Sequence, residues 1–201
     1  MSTVVAKPAP AFSSEPVFRL SVEQYHAMID AGVLTDDDPV ELLEGLLVYK
    51  MPKKPIHPLT VRLLTTAIDG LLGPQLHFRA QEPVTLDDSE PEPDGAVVRG
   101  SPRDYTDQHP GRDDVVLVIE IADATAARDR GIKLRTYARA GIAVYWIVNL
   151  PERCVEVYTG PDSSQEPAGY RDRRVHAESE SVDVIIDGKS VGAIRVRDIL
   201  P

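Results

Sequence analysis

The sequence holds one cysteine, Cys154, in 201 residues, so no intrachain disulfide can form and a disulfide-stapled secreted scaffold is excluded. It has no uninterrupted apolar run near the roughly 18 residues that suggest a membrane span. Together these absences make a cytoplasmic protein with no membrane partner the expectation. Positive charge is also short: 22 Lys and Arg stand against 32 Asp and Glu, for a net charge of -10 and a pI near 4.9. Such a balance excludes a protein that coats nucleic acid by bulk electrostatics. Internal repeats and long low-complexity linkers are missing too.

What is present is 42% hydrophobic residues, enough for one sizeable core. The opening stretch 1–16, rich in Pro, Ala and Ser, reads as a flexible tail without the apolar centre of a signal peptide. The remainder, 17–201, reads as a single domain. "SVEQYHAMIDAG" has Ser21 three residues before Gln24, the spacing of a capping box, and a stop at Gly32, which predicts a short helix. "DDDPVELLEGLLVYKM" predicts a hairpin about Glu44-Gly45. The apolar residues Val61, Leu64, Ile68, Leu71 and Leu72 recur at helical spacing, predicting a helix that covers a sheet.

Strands are then expected in "HFRAQEPVTL", "GAVVRG" and "VVLVIEIA", the last apolar throughout except at Glu120 and therefore central. "TAARDRGIKLRTYARAG" predicts a crossover helix into the apolar strand "AVYWIVNL", making a βαβ unit. "CVEVYTG" follows as a more exposed strand, "GPDSSQEPAGYRDRR" as a surface loop, and the C-terminal stretch as short edge strands turning at Asp187-Gly188. The fold class is therefore α/β with a mixed sheet flanked by helices.

Two acids at strand positions carry the chemistry. A carboxylate in a buried strand is costly unless a cation, a metal or hydrogen bonds attend it, and Glu120 is such a residue. Val116, Val118, Glu120 and Ala122 are expected on one face, so the strand itself offers Glu120 no partner. Lys133, on the following helix at i, i+4 from Tyr137, can reach back over the strand with its long stem. Asp94, in "PEPDGAVV" at the mouth of the neighbouring strand, adds a second acid. Two carboxylates and an ammonium outline a metal-assisted hydrolysis site, whose hard oxygen ligands favour Mg²⁺ or Mn²⁺ over zinc. His57 has no second histidine at ligand spacing. Against the net charge, 128–139 is locally +4, with four Arg and one Lys against one Asp. "YKMPKK" adds Lys50, Lys53 and Lys54.

The segments "VELLEG", "EPEPDGAVV", "VVLVIEIADATAARDRGIKLRTYARAGIAVYWIVNL" and "VEVYTG" resemble the Uma-type family of restriction endonucleases within the PD-(D/E)XK nuclease superfamily. The resemblance runs from about Leu20 to Tyr158 and more loosely to the C-terminus. Its most specific part is the order and spacing from Asp129 through Lys133, Tyr137 and Gly141 to Trp146. It implies a restriction-endonuclease-like core, Asp94 as the acid of the Pro-Asp motif, Glu120 as the second acid and Lys133 as a lysine moved from strand to helix. It further implies that Glu41 is an added acidic member reaching from the hairpin. Two departures stand out: "IADATAA" replaces a segment rich in Ser and Pro, and Asn149 stands where an aspartate is common.

The expectation is thus a Mg²⁺-dependent nuclease acting on nucleic acid, DNA foremost. Asp94, Glu120 and the main-chain carbonyl near Ile121 would be metal ligands, and Glu41 and Lys133 would complete the catalytic group. Arg128, Arg130, Arg135, Lys50, Lys53 and Lys54 are candidate phosphate contacts. Because a protomer at -10 repels a polyanion, a homodimer that aligns two basic segments is also expected. Two other classes fit the same residues: a catalytically silent binding or scaffold module, and a metal-dependent hydrolase of small phosphodiesters.

Overall fold

The computed structural model describes residues 16–35 and 37–201; the expected tail, Pro16 apart, lies outside the described residues. Helix α1 (Val22–Asp30) starts on the expected capping box: Ser21 Oγ accepts from the Gln24 N–H, and the Gln24 side chain accepts from the Ser21 N–H. The hairpin of β1 (Val40–Leu43) and β2 (Leu46–Tyr49) turns on Glu44 and Gly45, at φ 51° and 74°. That pair of left-handed residues is what a two-residue hairpin requires. Helix α2 (Ile56–Asp69) buries Val61, Leu64 and Ile68, the residues whose period announced it.

A six-stranded sheet follows in the order β3 (Leu76–Arg79), β4 (Gly95–Arg99), β5 (Val115–Ala122), β6 (Val144–Asn149), β7 (Cys154–Asp162) and β8 (Gly169–Ala177). Only β5 and β6 are parallel; the other neighbours are antiparallel. The parallel step needs a crossover, supplied by a broken helix: α3 (Ala126–Arg128), a wide π-type turn (Asp129–Lys133) with a kink at Gly131, and α4 (Leu134–Arg139). A second hairpin, β9 (Ser181–Ile186) and β10 (Lys189–Arg195), turns at Asp187 and Gly188 as the sequence predicts.

All eight residues of β5 are buried, as a strand covered on both sides must be. One face of the sheet packs Leu117, Ile119, Ile121, Trp146 and Val148 against α2, β9 and the C-terminal residues Ile199 and Leu200. The other packs Val118, Ala122, Ile147 and a group of tyrosines against the crossover. Val116 departs from the expected alternation and joins the first face, because a bulge shifts the β4–β5 register between Val97 and Val98. A second difference is that Tyr170–Arg174, expected in a loop, lies inside β8. The residues are largely exposed and rich in Arg, so no apolar alternation marks them; the pairing with β7 makes them a strand.

Gly95 opens β4 directly after Asp94, and a Cβ there would stand 2.4 Å from the Phe78 ring on the neighbouring strand. The close approach fixes how the Pro-Asp segment enters the sheet. Gly95→Ala is therefore expected to cost about 1–3 kcal/mol, the range for overpacking a filled core, measured as a lower midpoint in urea denaturation.

Candidate active site

Asp94 sits where the chain enters β4 and Glu120 near the end of β5, and antiparallel pairing brings the two strand ends together. Lys133 leaves the wide turn of the crossover, and Glu41 comes from the β1–β2 hairpin. All four are buried and line one cleft of about 110 Å³. The sequence separates them by up to 92 positions; the sheet and the crossover bring them together.

Lys133 Nζ donates to Glu120 Oε1 at 2.8 Å and lies 3.0 Å from Glu41 Oε2. Tyr137, one turn along the helix, donates its hydroxyl to the same Glu120 oxygen at 2.7 Å. Glu41 also accepts from Arg128 and from the Glu92 N–H at 3.1 Å, so both its oxygens are engaged. It thereby holds Lys133 and Arg128. Asp94 Oδ2 accepts from the Ile121 N–H at 2.9 Å and bonds His57 Nε2 at 3.0 Å. Its Oδ1 lies 3.3 Å from Lys53 Nζ and 3.4 Å from Gln81 Nε2, the loosest contacts in the group.

Three titrations follow from these surroundings. Burial raises the Asp94 carboxyl, but the hydrogen bond and charge of His57, then Lys53 and the Ile121 N–H, outweigh it and leave the group below its usual range. For Glu120 burial wins: the carboxyl is pushed up to about 8, with Lys133 opposing and Asp94, Asp129 and Glu41 reinforcing the rise. Lys133 pays for burial too, yet Glu120 and Glu41 keep its ammonium above the ordinary lysine range.

The donor set fits a hard divalent cation. Glu120 keeps Oε2 free of hydrogen bonds among the described residues, Asp94 holds Oδ1 only loosely, and neither sulfur nor a histidine pair competes. Ile121 lines the cleft beside them. Among the described residues the one trio of His, Cys, Asp or Glu ligand atoms within 4.8 Å of one another lies elsewhere, at Glu152, Cys154 and Glu156. There Glu156 already accepts from Arg130, Arg173, Tyr158 and Asn149. Burial raises its carboxyl, and these partners together hold it down at about 2. Glu152 also pairs with Arg130, so both acids of that trio are held by arginine.

The candidate phosphate contacts divide. Lys50, Lys53, Lys54 and Arg128 line the cleft, whereas Arg130 is turned to Glu152 and Glu156, and Arg135 to Glu44. Arg139 pairs with Asp88. The local +4 of 128–139 is thus matched by acids from distant segments, which no count along the chain reveals. Sequence reading assigns a role in the site neither to His57, whose partner Asp94 is 37 positions away, nor to Asp129, buried in the wall of the cleft. The signal for Asp129 was its place at the start of the run whose order and spacing carry the family resemblance.

The fold is α+β around a six-stranded mixed sheet, and the chain is similar to a crystal structure at 1.96 Å of "a putative nuclease belonging to DUF820" from Anabaena variabilis ATCC 29413. The TM-score is 0.63 at 16% identity, over 90% of this chain and 97% of that one. Residues 22–187 match the model of the Uma2 family, described as "putative restriction endonuclease", and the chain belongs to that family. None of the curated proteins matches it.

The raised Glu120 carboxyl makes a stability prediction. Between the ordinary carboxylate value of 4.5 and about 8 the folded protein keeps a proton that the unfolded chain has lost, so rising pH removes stability over that window. Glu120→Gln cannot ionise. Its stability relative to the parent should therefore climb from pH 5 to pH 9, by an amount on the order of a few kcal/mol, in denaturant titrations made in EDTA.

Proposed function

We propose that the protein is a divalent-metal-dependent nuclease of the PD-(D/E)XK type, hydrolysing phosphodiester bonds in nucleic acid, with DNA as the first substrate class. The observation that carries this reading is the single cleft that gathers buried Asp94, Glu120 and Lys133 beneath a rim of Lys50, Lys53, Lys54 and Arg128. Membership of a restriction endonuclease family supports it.

In this reading Asp94 Oδ1, Glu120 Oε2 and the Ile121 carbonyl would hold Mg²⁺ or Mn²⁺. A bound ion would supply polarisation of the scissile phosphate and a lowered pKa for an attacking water. His57 and the Ile121 N–H fix the Asp94 carboxylate by holding Oδ2 in place. Lys133 orients the water and offsets the charge that builds on the phosphate oxygens. Glu41 and Tyr137 restrict where that ammonium can point, Glu41 through the ammonium itself and Tyr137 through its hold on Glu120. The rim cations contact the backbone and carry no sequence preference of their own.

The test is cleavage of plasmid and single-stranded DNA in Mg²⁺, with circular dichroism as the control for folding. Asp94→Ala and Glu120→Ala should abolish cleavage while the fold persists; parental rates in both variants would remove the assignment. Lys133→Met should lower turnover by about 10²–10⁴-fold and change Mg²⁺ affinity far less. Cleavage of a panel of small phosphodiesters with none of DNA would instead point to a small substrate.

The charge balance also supports a working homodimer, since a protomer at -10 gains from turning acidic faces away from a shared substrate groove. Light scattering at micromolar concentration should then report about twice the 22.1 kDa chain mass; a monomer at all concentrations removes the dimer.

A further inference from the structure

The segment between β2 and α2 carries Lys50, Lys53 and Lys54 at half-exposed or exposed positions, and each lysine reaches an acid of the cleft. Lys50 pairs with Glu92, Lys53 with Asp94 Oδ1 at 3.3 Å, and Lys54 with Asp123 Oδ2 at 2.8 Å. Arg128 Nη1 anchors the start of the segment by donating to the Tyr49 carbonyl at 2.8 Å. One short loop thus straps the cleft by three ion pairs. The cleft is lined by six Asp and Glu against five Lys and Arg, so the strap nearly neutralises it before any ion arrives.

Within that balance Lys53 has a particular place. Asp94 Oδ2 is taken by His57 and the Ile121 N–H, so Oδ1 is the oxygen open to a cation, and the Lys53 ammonium is the charged group now beside it. An ammonium and a hard divalent ion compete for the same carboxylate oxygen, and the doubly charged ion has the stronger attraction at equal distance. We propose that Lys53 is a place-holding cation: the divalent ion displaces it from Asp94, and the displaced lysine turns its charge to the cleft mouth as a phosphate contact. Metal entry and backbone binding are then coupled through one residue. The exchange also accounts for basic residues that face acids while belonging to a nuclease rim. It rests on Asp94 and Glu120 being the cation site, and the experiment separates the two ideas.

The full chain is titrated calorimetrically with Mg²⁺ alone, without nucleic acid, for the parent, Lys53→Met, Lys54→Met and Glu120→Gln. Lys53→Met should bind Mg²⁺ about fivefold or more tightly, because the competitor is gone. Lys54→Met removes the same charge from the same loop but faces Asp123, so it should raise affinity less. Equal gains in the two would show bulk electrostatics and overturn the place-holder, as would unchanged or weaker binding by Lys53→Met. In the parent, labelling with an amine-reactive ester, read by mass spectrometry, should increase at Lys53 when Mg²⁺ is added. Unchanged Lys53 labelling at saturating Mg²⁺ would overturn the displacement. Glu120→Gln should lose Mg²⁺ binding. If it keeps parental affinity the cation site itself is misassigned; if it loses the ion while Lys53→Met behaves as the parent, only the exchange fails.

Discussion

The Lys133 ammonium, buried between Glu41 and Glu120, is the interaction on which the remaining geometry depends. It joins the β1–β2 hairpin, the central strand and the crossover helix at one point. Taking charged groups out of water costs several kcal/mol for each ion, and attraction offsets this only when further hydrogen bonds complete the groups. Arg128 with the Glu92 N–H completes Glu41, whereas Lys133 and Tyr137 both bond Oε1 of Glu120 and leave its Oε2 without a partner among the described residues. Losing Lys133 does not leave bare charge, because Arg128 stays with Glu41 and Glu120 takes up a proton readily. The network therefore fixes position more than it adds stability.

Behind it lies an apolar wall with polar tips. Tyr137, Tyr145, Tyr158 and Tyr170 pack ring to ring, the closest centroids 5.1 Å apart. Their hydroxyls donate to Glu120, the Asp129 carbonyl, Glu156 and the Ile142 carbonyl. A phenylalanine at any of the four positions would fill nearly the same volume but remove one donor from its acceptor. Low polarizability around Glu120 is also what raises its carboxyl, so the core packing and the site's proton affinity have one cause.

Net charge describes the two ends of this protein poorly. At -10 the whole surface is acidic, while the cleft holds almost equal numbers of acids and bases, arranged as pairs. A phosphate backbone meeting that cleft exchanges partners with existing ion pairs, a smaller electrostatic gain than meeting free lysines. The same pairing removes Arg130, Arg135 and Arg139 from the cleft, leaving Arg128 and the lysine loop at its mouth.

Local chemistry sufficed for much of this. The capping box at Ser21, the turn at Glu44-Gly45, the period of α2 and the buried run of β5 each depend on residues a few positions apart, and each was legible in the sequence. So was the oddity of Glu120, since an acid in an all-buried strand requires a partner wherever it lies. What the tertiary structure alone decided involves partners tens of residues apart: His57 on Asp94, Glu41 holding Lys133 and Arg128, acids from six positions neutralising the basic segment, and β8 made a strand by its neighbour. It also set the β4–β5 bulge that turns Val116 to the opposite face. Periodicity records which side of an element is buried, because burial repeats with the backbone; it does not record which charge stands opposite, because one cation in the right place satisfies an acid from any distance along the chain.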